Sequence, residues 1–176
     1  TAARGGVAGF GAAMFSLEMP GMSIATRAVA QETKISSNRI RQGKITSNEM
    51  DRIALAPETF VPIKNLLKID STPGLSVAQI RARCLSFRRK LRAAGKELKM
   101  VAIDHLQYVA PANPRATENE SARQITKDLC TLARELKVAV VLLSHLTKEN
   151  ERRTSKRPIM SDLYGSGGIS QNADSV

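Results

Sequence analysis

The chain has 176 residues, with 27 Lys+Arg against 16 Asp+Glu and a net charge of +11, so polyanions are its expected partners. Its hydrophobic fraction of 42% is enough for one packed domain and argues against wholesale disorder. The longest apolar stretch (138–143) is too short to cross a bilayer, no secretory signal opens the sequence, and Cys84 and Cys130 stand apart rather than as a CxxC pair, which leaves a soluble protein of a reducing compartment.

Residues 1–11 hold three alanines and four glycines but no complete strand–loop–helix unit. The apolar run 12–17 (AAMFSL) is the first predicted strand, and Glu18 follows it in Phe-Ser-Leu-Glu-Met-Pro. A mostly helical insert covers 22–58, read as helices over 22–32, 37–42 and 47–56, with Gly43 and Pro57 as stops. The run 65–69 (NLLKI) is the second strand. After the turn signal Thr72-Pro73-Gly74, Ser76 is a good N-cap for a helix over 76–94, whose apolar face is Val77, Ile80, Cys84, Phe87 and Leu91.

The third strand, 98–103 (LKMVAI), ends at Asp104, and a helix over 118–137 follows with Ile125, Leu129, Leu132 and Leu136 on one face. The fourth strand is 138–143 (VAVVLL), ending near His145. The third and fourth runs are continuous rather than alternating, the pattern of strands buried on both faces of a parallel sheet. Strand–helix–strand alternation of this kind predicts an α/β fold with a parallel sheet. From 147 onward the chain is polar and glycine-bearing.

Three polar residues close predicted strands. Asp104 after MVAI has the pattern of a carboxylate that holds Mg²⁺ through its water shell, and it could equally cap the next turn. Glu18 offers a second carboxylate able to take a proton from an attacking water, or a surface residue before a proline turn. His145 could contact a terminal phosphate or be a structural histidine. Three such residues on one sheet edge weigh more than each singly.

Eight basic residues lie between Arg81 and Lys99, mainly as a solvated helix face. A second cluster, Lys148, Arg152, Arg153, Lys156 and Arg157, lies beside Gly165-Ser166-Gly167-Gly168, where exposed amides near cations suit phosphate gripping. Aromatic residues make up only 3% of the chain, which favours phosphate contacts over base stacking.

In order, FSLEMP, IDSTPGLSVAQIRARC, MVAIDHLQYV, LARELKVAVVLLSHL and KRPIMSDLYGSGGISQNAD resemble the ATPase domain of DnaB-type replicative DNA helicases, from about Met14 to the last residue. The resemblance implies a RecA-like P-loop NTPase fold with a mainly parallel central sheet flanked by helices, incomplete at both ends. It also implies a bacterial or phage cytoplasmic source, ATP and Mg²⁺ as cofactors, and a homo-oligomeric, hexameric ring around single-stranded DNA, with primase and a helicase loader as further partners and no membrane.

On that resemblance Glu18 is the catalytic base, Asp104 the Mg²⁺ carboxylate and His145 the γ-phosphate sensor. The DNA-facing segments are 110–120 and 161–170, with Arg115, Arg152, Arg153, Lys156, Arg157, Tyr164, Gly165, Ser166 and Gly167 as DNA-binding residues. Many relatives have Arg where Tyr164 stands, so stacking or a hydroxyl–phosphate bond is expected there. The family's Walker A loop and arginine finger are absent from these residues, so the chain alone is expected to bind ATP weakly and to be inactive. The alternative implied function is a non-catalytic RecA-like DNA-binding or helicase-loading factor.

Overall fold

In the computed structural model, residues 9–146, 157–163 and 166–176 are described, the side chains of 166 and 167 excepted. Strand β1 (Gly11–Ser16) leads into helices α1 (Gly21–Thr33), α2 (Ser37–Arg41) and α3 (Ser47–Leu55), and a 3₁₀ turn (Ala56–Ile63) delivers the chain to β2 (Leu67–Asp70). Helix α4 (Val77–Ala93) returns it to β3 (Leu98–Asp104), and α5 (Glu118–Leu136) to β4 (Ala139–Leu142). A short 3₁₀ turn (Leu106–Tyr108) follows β3, and another (Met160–Asp162) with helix α6 (Ser166–Asn172) completes the described elements.

The four described strands form one parallel sheet in the order β2-β1-β3-β4. Parallel neighbours need a crossover, which α4 and α5 supply for the last two strands. Local chemistry fixes where these helices begin. The Ser76 hydroxyl accepts from Gln79 N–H while Gln79 Oε1 takes the Ser76 N–H at 2.9 Å, and Thr117 with Glu120 repeats the arrangement at the start of α5. Thr46 and Glu49 do the same for α3.

The predicted apolar faces become the core. Val77, Ile80, Cys84, Phe87 and Leu91 of α4 and Ile125, Leu129, Leu132 and Leu136 of α5 pack with Ala13, Phe15, Val101 and Ile103 of the two central strands. Gly11 opens β1 because α4 leaves no room for more: a Cβ there would run into the Leu91 side chain. In the helical segment, the Arg52 guanidinium donates to the Thr33 carbonyl, and Arg39 grips Glu49 through two bonds of 2.6 and 2.8 Å.

Two expectations are corrected. The fourth run is not buried on both faces: among the described strands β4 lies at an edge, and Val141 is 41% exposed while Val140 and Leu142 pack on the core. Continuity of apolar residues registers hydrophobicity, not position in the sheet. Pro57 ends the α-helical course but not the helical one, since the 3₁₀ turn carries it near its N-terminus, where its missing N–H costs nothing.

Candidate functional site

The parallel register gathers the strand ends. Ser16 pairs with Asp104 across β1 and β3, and the Asp104 carbonyl accepts from Leu17 N–H at 2.7 Å, so Glu18 emerges beside the end of β3. On the other side Leu143 N–H donates to the Ile103 carbonyl at 3.0 Å, and Leu106 N–H returns a bond to the Leu143 carbonyl at 2.9 Å. This interlock sets His145 against the residue after Asp104, which is His105. The buried Ser16 hydroxyl donates to the Met19 carbonyl at 3.3 Å and steadies the turn that carries Glu18.

His105 is the centre of the constellation. It is 2% exposed, joined to Asp104 by a cis peptide bond, and its ring centroid lies 3.8 Å from that of His145, tilted by 37°. Tyr108 meets the same ring edge-on at 4.8 Å. The His105 Nδ1 lies 2.6 Å from the Gln107 Oε1. That oxygen also accepts from His145 backbone N–H at 3.4 Å, while the Gln107 Nε2 donates to the Ser144 hydroxyl at 3.3 Å. The amide is thereby oriented, Nδ1 is the donor, and in the neutral ring Nε2 keeps the lone pair.

Glu18 is exposed, with its Oε2 3.2 Å from the His105 Nε2. The approach is close but misaligned for a hydrogen bond, and Nε2 has no hydrogen-bond partner among the described residues. Asp104 is half-buried at the strand end, and among the described residues its carboxylate makes no hydrogen bond or ion pair. An open hard-oxygen donor at the carboxyl edge of a parallel sheet is a fitting ligand for Mg²⁺.

Glu18, Asp104 and His145 therefore stand at one edge of the sheet, at or just past the ends of β1, β3 and β4. The sequence reading passes over His105, Gln107 and Ser144. The signal was there: the chain has two histidines, and each stands just past a strand end.

Of the DNA-binding candidates, Arg115, Arg157, Ser166 and Gly167 lie among the described residues. Arg115 is exposed in the loop before α5, its backbone N–H donating to the Asn113 side chain at 3.0 Å, and Arg157 is also exposed. Lys148, Arg152, Arg153, Lys156, Tyr164 and Gly165 lie outside the described residues. Ser166 and Gly167 open α6, so the segment read as a loop through 170 is helical from 166 onward.

Packing explains that helix despite its glycines. A Cβ at Gly168 would fall 2.6 Å from the Arg123 Cα, so its absence lets α6 lie directly on α5. Asn172 then donates to the Thr126 hydroxyl at 3.1 Å, and the Cys130 thiol donates to the Asn172 carbonyl at 2.8 Å.

The first basic cluster lies mainly on the solvated face of α4, where Arg81 pairs with Glu135, and Arg83 with Asp70 at 2.5 Å. Burial pushes the Asp70 carboxyl up, but bonds from Arg83 and Thr72 outweigh it and hold it below the usual range.

Residues 2–176 match the family model of the DnaB-like helicase C-terminal domain. The chain is 38% identical over 166 residues to the replicative DNA helicase DnaB of Geobacillus stearothermophilus, covering 93% of this chain and 35% of that protein. It is 36% identical over the same length to the replicative DNA helicase DnaC of Bacillus subtilis, again covering 93% of this chain and 35% of that protein. Among solved structures, a DnaB-like replicative helicase, described with its interactions with primase, superposes with a TM-score of 0.87 at 30% identity, over 98% of this chain and 41% of that one. A separately solved ATPase domain superposes with the same score and identity, over 98% of this chain and 60% of that one. The four-stranded parallel sheet with its flanking helices is thus the RecA-like fold of these ATPase domains. The chain spans about a third of the length of the helicases it matches in sequence.

Proposed function

Because the chain belongs to the family of DnaB-like helicase C-terminal domains, we propose that it is the motor segment of an ATP-dependent replicative DNA helicase. In this reading it hydrolyses ATP to translocate on single-stranded DNA and unwind duplex at the fork, as part of a homohexameric ring in the bacterial or phage-infected cytoplasm. Primase and a loader are its proposed partners. The observation that carries the reading is the convergence of Glu18, Asp104 and His145 at the carboxyl edge of β1, β3 and β4.

Phosphoryl transfer asks mainly for positioning and charge neutralisation. Glu18, exposed at the end of β1, takes the proton of the attacking water. Asp104 holds Mg²⁺, which when bound neutralises charge on the phosphates. His145 contacts the terminal phosphate, and its link through Gln107 to the end of β3 carries the loss of that phosphate into the chain that follows. Segments 110–120 and 161–170 then face DNA, with the exposed Arg115 and Arg157 as proposed phosphate contacts and Arg152, Arg153, Lys156, Tyr164, Gly165, Ser166 and Gly167 completing the set.

The test is ATP hydrolysis by the full-length protein with and without single-stranded DNA. DNA should stimulate turnover, and Glu18→Ala should lower it by about 100-fold or more while nucleotide binding is kept. Near-normal turnover in that variant overturns the assignment of the base. DNA binding with no turnover in the unaltered protein would favour the non-catalytic DNA-binding or loading factor instead.

A further inference from the structure

The contact between Glu18 and His105 is unusual in what it lacks. The hydrogen-bond chain through Gln107 commits the His105 Nδ1 to donation, so in the neutral ring the buried Nε2 presents a lone pair to a carboxylate oxygen 3.2 Å away. A ring nitrogen and a carboxylate oxygen held that close are reconciled by a proton on Nε2 or by a metal ion near both. Tetrahedral coordination with bonds of about 2.0–2.2 Å puts neighbouring donor atoms about 3.3 Å apart, each aimed at the ion rather than at the other. The Glu18–His105 separation and its misalignment for a hydrogen bond have that character, while His145, stacked on His105 at 3.8 Å, must swing to direct a ring nitrogen at the ion. A third donor is at hand: ligand atoms of Glu18, His105 and His145 all lie within 4.8 Å of one another.

We propose that Glu18, His105 and His145 form a binding site for a late first-row divalent metal ion, Zn²⁺ in the first instance, with an open fourth position toward solvent. Two imidazoles and one carboxylate select such an ion over Mg²⁺, which prefers oxygen donors and retains its waters. Two of the three donors, Glu18 and His145, are on exposed side chains that can close on an ion, while His105 is held in place by the Gln107 bond and the Tyr108 contact. The site is distinct from the Mg²⁺ carboxylate, Asp104, which lies outside this donor set. Occupation ties up Glu18 and His145 together, so bound Zn²⁺ blocks hydrolysis. That consequence rests on the proposed helicase reading, whereas metal uptake does not.

The experiment is calorimetric titration of chelator-treated, nucleotide-free full-length protein with Zn²⁺ in the presence of excess Mg²⁺. One equivalent of Zn²⁺ per chain should bind, and Glu18→Gln and His145→Ala should each weaken that binding by about tenfold or more, since losing a direct ligand costs at least as much as losing its support. Both side chains are exposed, so circular dichroism should find the variants folded. Cys130→Ser should bind as the unaltered protein does, and Co²⁺ should give a visible spectrum that both ligand variants lose. Absence of uptake, uptake unchanged in both ligand variants, or uptake lost in Cys130→Ser each overturns the site. If Zn²⁺ binds as expected but leaves ATP hydrolysis untouched, the site stands and the assignment of Glu18 as base fails.

Discussion

At the scale of single residues, the glycines are as informative as the charged groups. Gly168 sits where α6 meets the backbone of α5, and the clash a methyl group would make is with the Arg123 Cα, which cannot swing aside like the end of a flexible chain. Gly168→Ala should therefore cost about 1–3 kcal/mol, the usual range for overpacking a tight contact, read as a lower midpoint in urea unfolding. An unchanged midpoint would mean that α6 does not rest on α5 in solution. Sequence alone reads the Gly165–Gly168 run as loop, because glycine weakens an isolated helix. It cannot anticipate that the partner surface makes a missing side chain the requirement.

At the scale of elements, β2 is a short strand at the other edge of the described sheet, and its last residue is tied to α4 by the Arg83–Asp70 pair. The Asp70 carboxyl is more acidic in the folded chain than in the unfolded one, so the pair stabilises the fold above the unfolded value of about 3.9 and the contribution fades as pH falls through the folded one. The melting temperature of the unaltered protein should therefore drop more steeply below about pH 4 than that of Arg83→Ala, with the two converging at the acid end. Parallel acid profiles would show that the pair contributes nothing measurable. The helices that frame this contact were legible from capping residues and apolar spacing, since Ser76 and the face from Val77 to Leu91 stand where the periodicity puts them. The pair itself was not, because 13 residues separate its members along the chain and only the turn between β2 and α4 closes the distance.

At the scale of the whole molecule, the net charge of +11 is the feature that any polyanion, the proposed DNA included, would meet first. Binding of single-stranded DNA by the full-length protein should weaken linearly in log–log terms as salt rises, with a slope near about −0.7 for each phosphate contacted. Arg115→Ala and Arg157→Ala should each make that slope shallower by about 0.7, without a change in sequence preference. A slope unaltered in both variants would remove these two exposed arginines from the DNA face. The described chain has no helix long and apolar enough to cross a membrane, consistent with the short apolar runs of the sequence. By itself the sequence determined the α/β class, the order of the strands and helices, the two buried helix faces and the family, because periodicity, capping and ordered motifs are local properties. Only the tertiary structure decided that β4 lies at an edge of the described sheet, that Gly168 seats a helix, and that Glu18, His105 and His145 share one small volume. Those facts depend on the register of parallel strands, which brings residues as distant in the chain as Glu18 and His145 to one sheet edge and leaves no mark on any of the segments taken alone.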